Sequence, residues 1–118
     1  MKLFPFLIAI LTSFFISNTA QAYEVKKVCA KYETNYKMSK AYSVQAQIYD
    51  GSELNEAVGS FSRFNMFDHY AVIWWDQGQA SVIKLRSYFP GSMMYRTTGT
   101  DQNGRKWELS DNSIGYCM

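Results

Sequence analysis

The chain contains only two cysteines, Cys29 and Cys117, and almost everything that can fold lies between them. A bond between these two would close a loop of about 90 residues and stabilise the folded state by about 4–5 kcal/mol in the chain-entropy treatment. It would also force the first and last elements of the fold to lie side by side, because bridged Cα atoms sit within about 7 Å of each other. Whether the bond forms depends on the compartment, and the N-terminus speaks to that.

Residues 1–22 have the layout of a cleavable signal peptide. Lys2 is the positive start, residues 3–16 are apolar apart from Pro5, Thr12 and Ser13, and Ala20-Gln21-Ala22 places small residues where a signal peptidase accepts them. Cleavage between Ala22 and Tyr23 is expected. The apolar run is shorter than the roughly 20 residues that span a bilayer, so no membrane span is expected after cleavage. No Cys follows the cut, which argues against a lipoprotein. An exported chain meets oxidising conditions, so Cys29 and Cys117 are expected to pair. Two Cys and one His also fall short of a structural zinc set.

Removing the signal leaves 96 residues, enough for one domain over residues 23–118. The remaining 11 Lys and Arg face 10 Asp and Glu. That balance lacks the concentrated basic face that nucleic acid requires. The early cluster Lys26, Lys27, Lys31, Lys37 and Lys40 is interrupted by Glu24 and Glu33 and reads as a solvated face.

Pattern and turns point to strands. Residues 42–48 alternate Tyr, Val, Ala and Ile with Ser and Gln, as a half-buried strand does. Asp50-Gly51 reads as the turn that closes it. A first strand over residues 25–34 would turn Val28, Ala30 and Tyr32 inward and leave Cys29 with Lys27 and Lys31, putting the bridge at the rim of the fold. Residues 53–58 read as a helical turn or a loop, and residues 59–64 as a strand.

Two hairpins can be written with a register. A loop at Gln77-Gly78 pairs Trp75 with Ala80, Ile73 with Val82, Ala71 with Lys84 and His69 with Arg86. The opposite face, Tyr70, Val72 and Trp74 against Leu85, Ile83 and Ser81, is then the expected core. A type I′ turn at Asn103-Gly104 pairs Thr100 with Trp107, Thr98 with Leu109 and Asp101 with Lys106. Gly99, inside a strand, marks a bulge or the close approach of another segment. A short strand over residues 114–117 should return beside the first. Six to eight short antiparallel strands predict a small all-β barrel or sandwich.

Catalytic patterns are absent. Cys29 and Cys117 are committed to the bridge, and the single His69 follows Asp68 directly, so on a strand the two side chains point apart. The ten acids of the mature chain mark out no pair, and there is no phosphate loop, metalloprotease motif or calcium loop. Neither an enzyme nor a cofactor is expected. What remains is binding surface. With the register above, Ile73, Trp75 and Val82 form an apolar face that meets water in a barrel, or is covered by residues 53–58 or a second sheet. In the loop Phe89-Pro90-Gly91-Ser92-Met93-Met94-Tyr95, Pro-Gly makes a tight turn and three bulky residues then follow in a row; they cannot all face one core, so at least one of Met93 and Met94 projects outward. A homodimer contact at Trp75 is a further possibility.

Size, a single disulfide, β architecture and missing catalytic residues make the chain similar to bacterial envelope inhibitors and immunity proteins, such as the small periplasmic lysozyme inhibitors. That resemblance is one of class and carries over no residue roles. It implies a periplasmic, non-enzymatic protein whose partner is a toxin or cell-wall hydrolase. A carbohydrate- or envelope-binding module, with Trp75 and a surface Tyr stacking on sugar rings, is the alternative. A small secreted enzyme is a third.

Overall fold

The structure, a computed structural model, describes residues 23–112 and Cys117. These residues form seven strands and one helix: β1 (Glu24–Thr34), β2 (Lys37–Met38), β3 (Tyr42–Asp50), α1 (Gly51–Val58), β4 (His69–Asp76), β5 (Gln79–Leu85), β6 (Thr97–Thr100) and β7 (Lys106–Asp111). All pairings are antiparallel, and β7 returns to β1, with Val28 opposite Asp111 and Tyr32 opposite Trp107. Six strands thus close into a barrel, β1-β3-β4-β5-β6-β7, with β2 as a short hairpin extension of β1. Closure leaves the short domain without a long sticky edge.

The period-2 pattern puts one side of each strand into the barrel, which is small enough to be filled by side chains. Val28 and Ala30 of β1, Ala46 and Ile48 of β3, Ala71 and Ile73 of β4, Ile83 and Leu85 of β5, and Trp107 and Leu109 of β7 form one buried cluster. Cys29, on the opposite face of β1, is half-buried and bonded to Cys117 with a Cα–Cα distance of 5.5 Å. Because Cys29 pairs with Ser43 on one side and Ser110 on the other, the bridge lies on the outer wall at mid-strand and not at the rim. The strand expected at residues 114–117 and the signal peptide with its cut at Ala22 lie outside the described residues. Closure onto β1 is made by β7.

Asp50-Gly51 does not turn a hairpin; it opens α1. Asp50 accepts from the Glu53 amide (2.8 Å) and the Glu53 carboxylate accepts from the Asp50 amide (2.9 Å), a reciprocal capping box. Gly51 is needed because an added Cβ would lie 1.7 Å from the Asn65 carbonyl oxygen. Residues 59–64 form no strand. The buried Asn55 side chain donates to the Phe64 carbonyl and accepts from its amide, both at 2.8 Å, so those backbone groups are engaged before a sheet could use them.

Both hairpin registers differ from expectation by one residue. In the first, Trp74 pairs with Ala80 and Asp76 with Gln79, leaving Trp75 as a bulge. The Trp75 ring lies instead against Trp107 and Tyr42, and its Nε1–H donates to Ser81 Oγ at 2.9 Å. The shift exchanges the faces of β4: Ala71 and Ile73 join Ile83 and Leu85 inside. Tyr70, Val72 and Val82 go outside, where Leu54 of α1 covers them in a second small cluster. In the second hairpin Gly99 pairs with Trp107 and Thr97 with Leu109. Here the Asp101 carboxylate accepts from the Asn103 and Arg105 amides, and only Gly104 has positive φ, so a capped three-residue loop replaces the type I′ turn. Gly99 marks close approach: a Cβ there would stand 2.6 Å from both Ile83 Cγ2 and the Lys84 carbonyl oxygen.

Candidate functional site

The barrel has two mouths. The tight turns of β1–β2, β4–β5 and β6–β7 lie at one, the hairpin end. At the other, the loop end, the chain leaves β3 for α1 and residues 59–68, and leaves β5 for the long connection 86–96.

The connection 86–96 folds across its mouth and is anchored inward. Tyr88 is buried and its hydroxyl donates to Glu24 Oε1 at 2.6 Å; its ring meets His69 edge-on at 5.8 Å. Burial, then the Glu24 carboxylate, pushes the Tyr88 phenol far above its usual range. Met94 is 1% exposed. Its amide donates to Asp111 Oδ2 (2.9 Å), and its carbonyl accepts from the Asp111 amide (3.0 Å). Lys26, expected on a solvated face, instead points into this end, bonding the Ser92 carbonyl at 2.9 Å and Asp111 at 3.2 Å. Ser87 and Arg96, at the two bases of the connection, are both in left-handed backbone conformations that non-glycine residues adopt at a cost.

Between these anchors the connection turns three large side chains to solvent: Phe89, Met93 and Tyr95, each 73–80% exposed. Met93, Met94 and Tyr95 therefore alternate out, in, out. On the neighbouring segment Phe61, Met66 and Phe67 are exposed as well. A cavity of about 260 Å³ at this end is lined by Glu24, Ile48, Asp50, Glu53, His69, Tyr88 and Pro90. No group of three His, Cys, Asp or Glu that could hold a metal exists among the described residues.

Aromatic rings close the hairpin end. Tyr42 meets Trp75 edge-on at 5.8 Å, Trp75 stacks on Trp107 at 5.8 Å, and Trp107 lies against Tyr32 at 5.3 Å. The Trp107 Nε1–H donates to Asp101 Oδ2 at 2.9 Å. Arg105 rides on the Tyr32 ring at 4.9 Å and Lys40 on the Tyr42 ring at 5.2 Å. A hydrogen bond to Tyr42 holds the Tyr32 phenol above its usual range, against the opposing pull of Arg105 and Lys40.

A hollow of about 680 Å³ forms a trough on the outer wall over β6, where Thr98 and Thr100 lie between Lys84 and Arg86 on one side and Lys106 and Glu108 on the other. Lys84 is paired with Asp68 at 3.1 Å. That pairing draws Asp68 away from His69, whose ring lies on Tyr88, so the adjacent acid and imidazole form no dyad.

Of the surface residues expected from the sequence, Trp75, Met93 and Tyr95 are exposed. Ile73 and Met94 are buried in the barrel core, and Val82 packs under α1. Phe89, at the start of the same loop, is exposed as well. Trp74, on the outer face beside Ala80, is also exposed. No protein family, curated protein or solved structure matches the chain. The Cys29–Cys117 disulfide fits an oxidising compartment outside the cytosol. Among the described residues no helix is long and apolar enough to cross a membrane.

Proposed function

We propose that this chain is an exported, non-enzymatic binding protein that acts in the periplasm as an inhibitor or immunity protein. Its target is a toxin or cell-wall hydrolase, and its contact surface is the connection 86–96. One observation carries this reading: Phe89, Met93 and Tyr95 stand in solvent while Tyr88 and Met94, interleaved with them, are buried and tied to Glu24 and Asp111. Three large apolar side chains facing water from one connection are the kind of exposed surface that marks a partner site. Holding them in place beforehand reduces the ordering entropy that binding would otherwise oppose. Exposed aromatic and Met side chains are also the types that dominate the central contacts of protein interfaces.

The test is inhibition. Purified protein is added to envelope muramidases and amidases, and clearing of a peptidoglycan suspension is followed by turbidity. Inhibition of at least one hydrolase, lost at least tenfold in Phe89→Asp, Met93→Asp or Tyr95→Asp with unchanged thermal unfolding, is the expected result. Equal potency of all three variants and the parent would remove the connection from the contact surface. Failure to inhibit any hydrolase, or to protect cells expressing the toxin of a neighbouring gene, would overturn the functional reading itself.

A further inference from the structure

We propose that the hairpin end is a second, separate site that binds an acidic oligosaccharide, with a sugar ring on Trp75 and the carboxylates of the chain met by Lys40 and Arg105. Trp75 keeps 39% of its surface in solvent although it already touches Trp107, Tyr42 and Ser81. Those contacts fix the plane of the indole, so a ligand stacking on it orders nothing further. Flat aromatic faces suit the apolar C–H faces of sugar rings, and the hydroxyl edges of a sugar need donors and acceptors around the platform. Tyr42 stands beside it, and Tyr32 lies against Tyr42 and Trp107.

The charge selects an acidic sugar. Lys40 lies over the ring next to Trp75, and Arg105 over the ring next to Trp107. Neither is in an ion pair among the described residues, where the salt bridges are Lys26–Asp111 and Lys84–Asp68. The nearest acid in sequence to Arg105 in the β6–β7 turn, Asp101, is engaged by the Asn103 and Arg105 amides and the Trp107 indole. Two cations held on rings, without carboxylates, are a place for an anion. Two cations are too few to neutralise the run of phosphates that nucleic-acid binding relies on, so a sugar acid is favoured over a nucleic acid.

Titration calorimetry of the purified full chain with a hexamer of galacturonic acid, a neutral hexamer of galactose and a single-stranded hexanucleotide tests this. The acidic hexamer should bind at least tenfold more tightly than either of the others. Lys40→Glu and Arg105→Glu, both exposed and therefore harmless to folding, should each weaken the acidic hexamer several-fold and leave the neutral one unchanged. Trp75→Ala should abolish binding, and Trp75→Phe, which keeps a ring and the packing, should restore part of it. Equal binding of acidic and neutral hexamers, tighter binding of the oligonucleotide, or no binding of any of the three overturns the proposal. Because the Phe89, Met93 and Tyr95 variants leave this end untouched, they should bind the acidic hexamer as the parent does.

Discussion

The two mouths of one barrel are sealed in different ways. At the loop end, eleven residues of connection cross the opening and drop Tyr88 and Met94 into it, with Lys26, Asp111 and Glu24 meeting the polar groups that come along. At the hairpin end the turns are too short to cross, so aromatic rings projecting from the strands fill the space. A long connection is sealed by alternate residues, and the others are left in solvent. A short turn allows no such division, and its seal is itself the exposed surface. This is why the apolar surface at the loop end can be altered without touching the core, whereas at the hairpin end platform and core are in contact.

The comparison can be broken most sharply at the seals. Trp107→Ala is expected to destabilise by about 3–5 kcal/mol in urea unfolding, and Trp75→Ala by less than about 2 kcal/mol. Equal losses would mean that Trp75 is core and that the hairpin end offers no platform. At the loop end Met94→Ala should cost about 2–5 kcal/mol, whereas Met93→Ala should stay within about 0.5 kcal/mol. Were Met93 to cost as much as Met94, the division into anchor and display residues would be wrong. Next in size is Asp101→Ala, which strips three donors of their acceptor and should cost about 1–3 kcal/mol. A loss below about 0.5 kcal/mol would show that water replaces the carboxylate and that Trp107 needs no fixing.

The smallest effect expected is at Tyr88. Tyr88→Phe removes the hydrogen bond to Glu24 and should cost about 0.5–1.5 kcal/mol near neutral pH. Its pH dependence has a definite sign. The Tyr88 phenol is raised in the folded state, so above about pH 10 the unfolded chain loses this proton first and stability falls as pH rises. Tyr32 and Tyr49 are shifted the same way, so the parent should lose stability in alkali and Tyr88→Phe should lose less. Parallel alkaline curves for the two proteins would show that Tyr88 is not sealed from water.

Much of this could be read from the chain. Alternation located β1 and β3 and turned Val28, Ala30, Ala46 and Ile48 inward, because a strand with one face on a core must repeat every two residues. The turns at Gly78 and Gly104 were placed correctly, but both registers slipped by one. In each case a side chain from the hairpin end intervened: Trp75 left the ladder to lie on Trp107, and the Asp101 carboxylate lengthened the loop it caps. Neither partner is visible to a local reading. The same slip hid Ile73 in the core and left Val82 under α1, while Trp75, Met93 and Tyr95 face solvent. The loop over residues 89–95 stands out in the sequence, but nothing local distinguishes the displayed Phe89 from the buried Tyr88 before it.

The sequence by itself determined the β class, the pairing of Cys29 with Cys117 and the positions of the tight turns, since alternation, cysteine count and turn chemistry act over a few residues or on the chain as a whole. Only the tertiary structure decided which face of β4 is inside, that Asp50-Gly51 opens a helix, and which large side chains seal the barrel and which face water. Those outcomes depend on what stands opposite each residue across the barrel, and one displaced Trp is enough to reverse a strand.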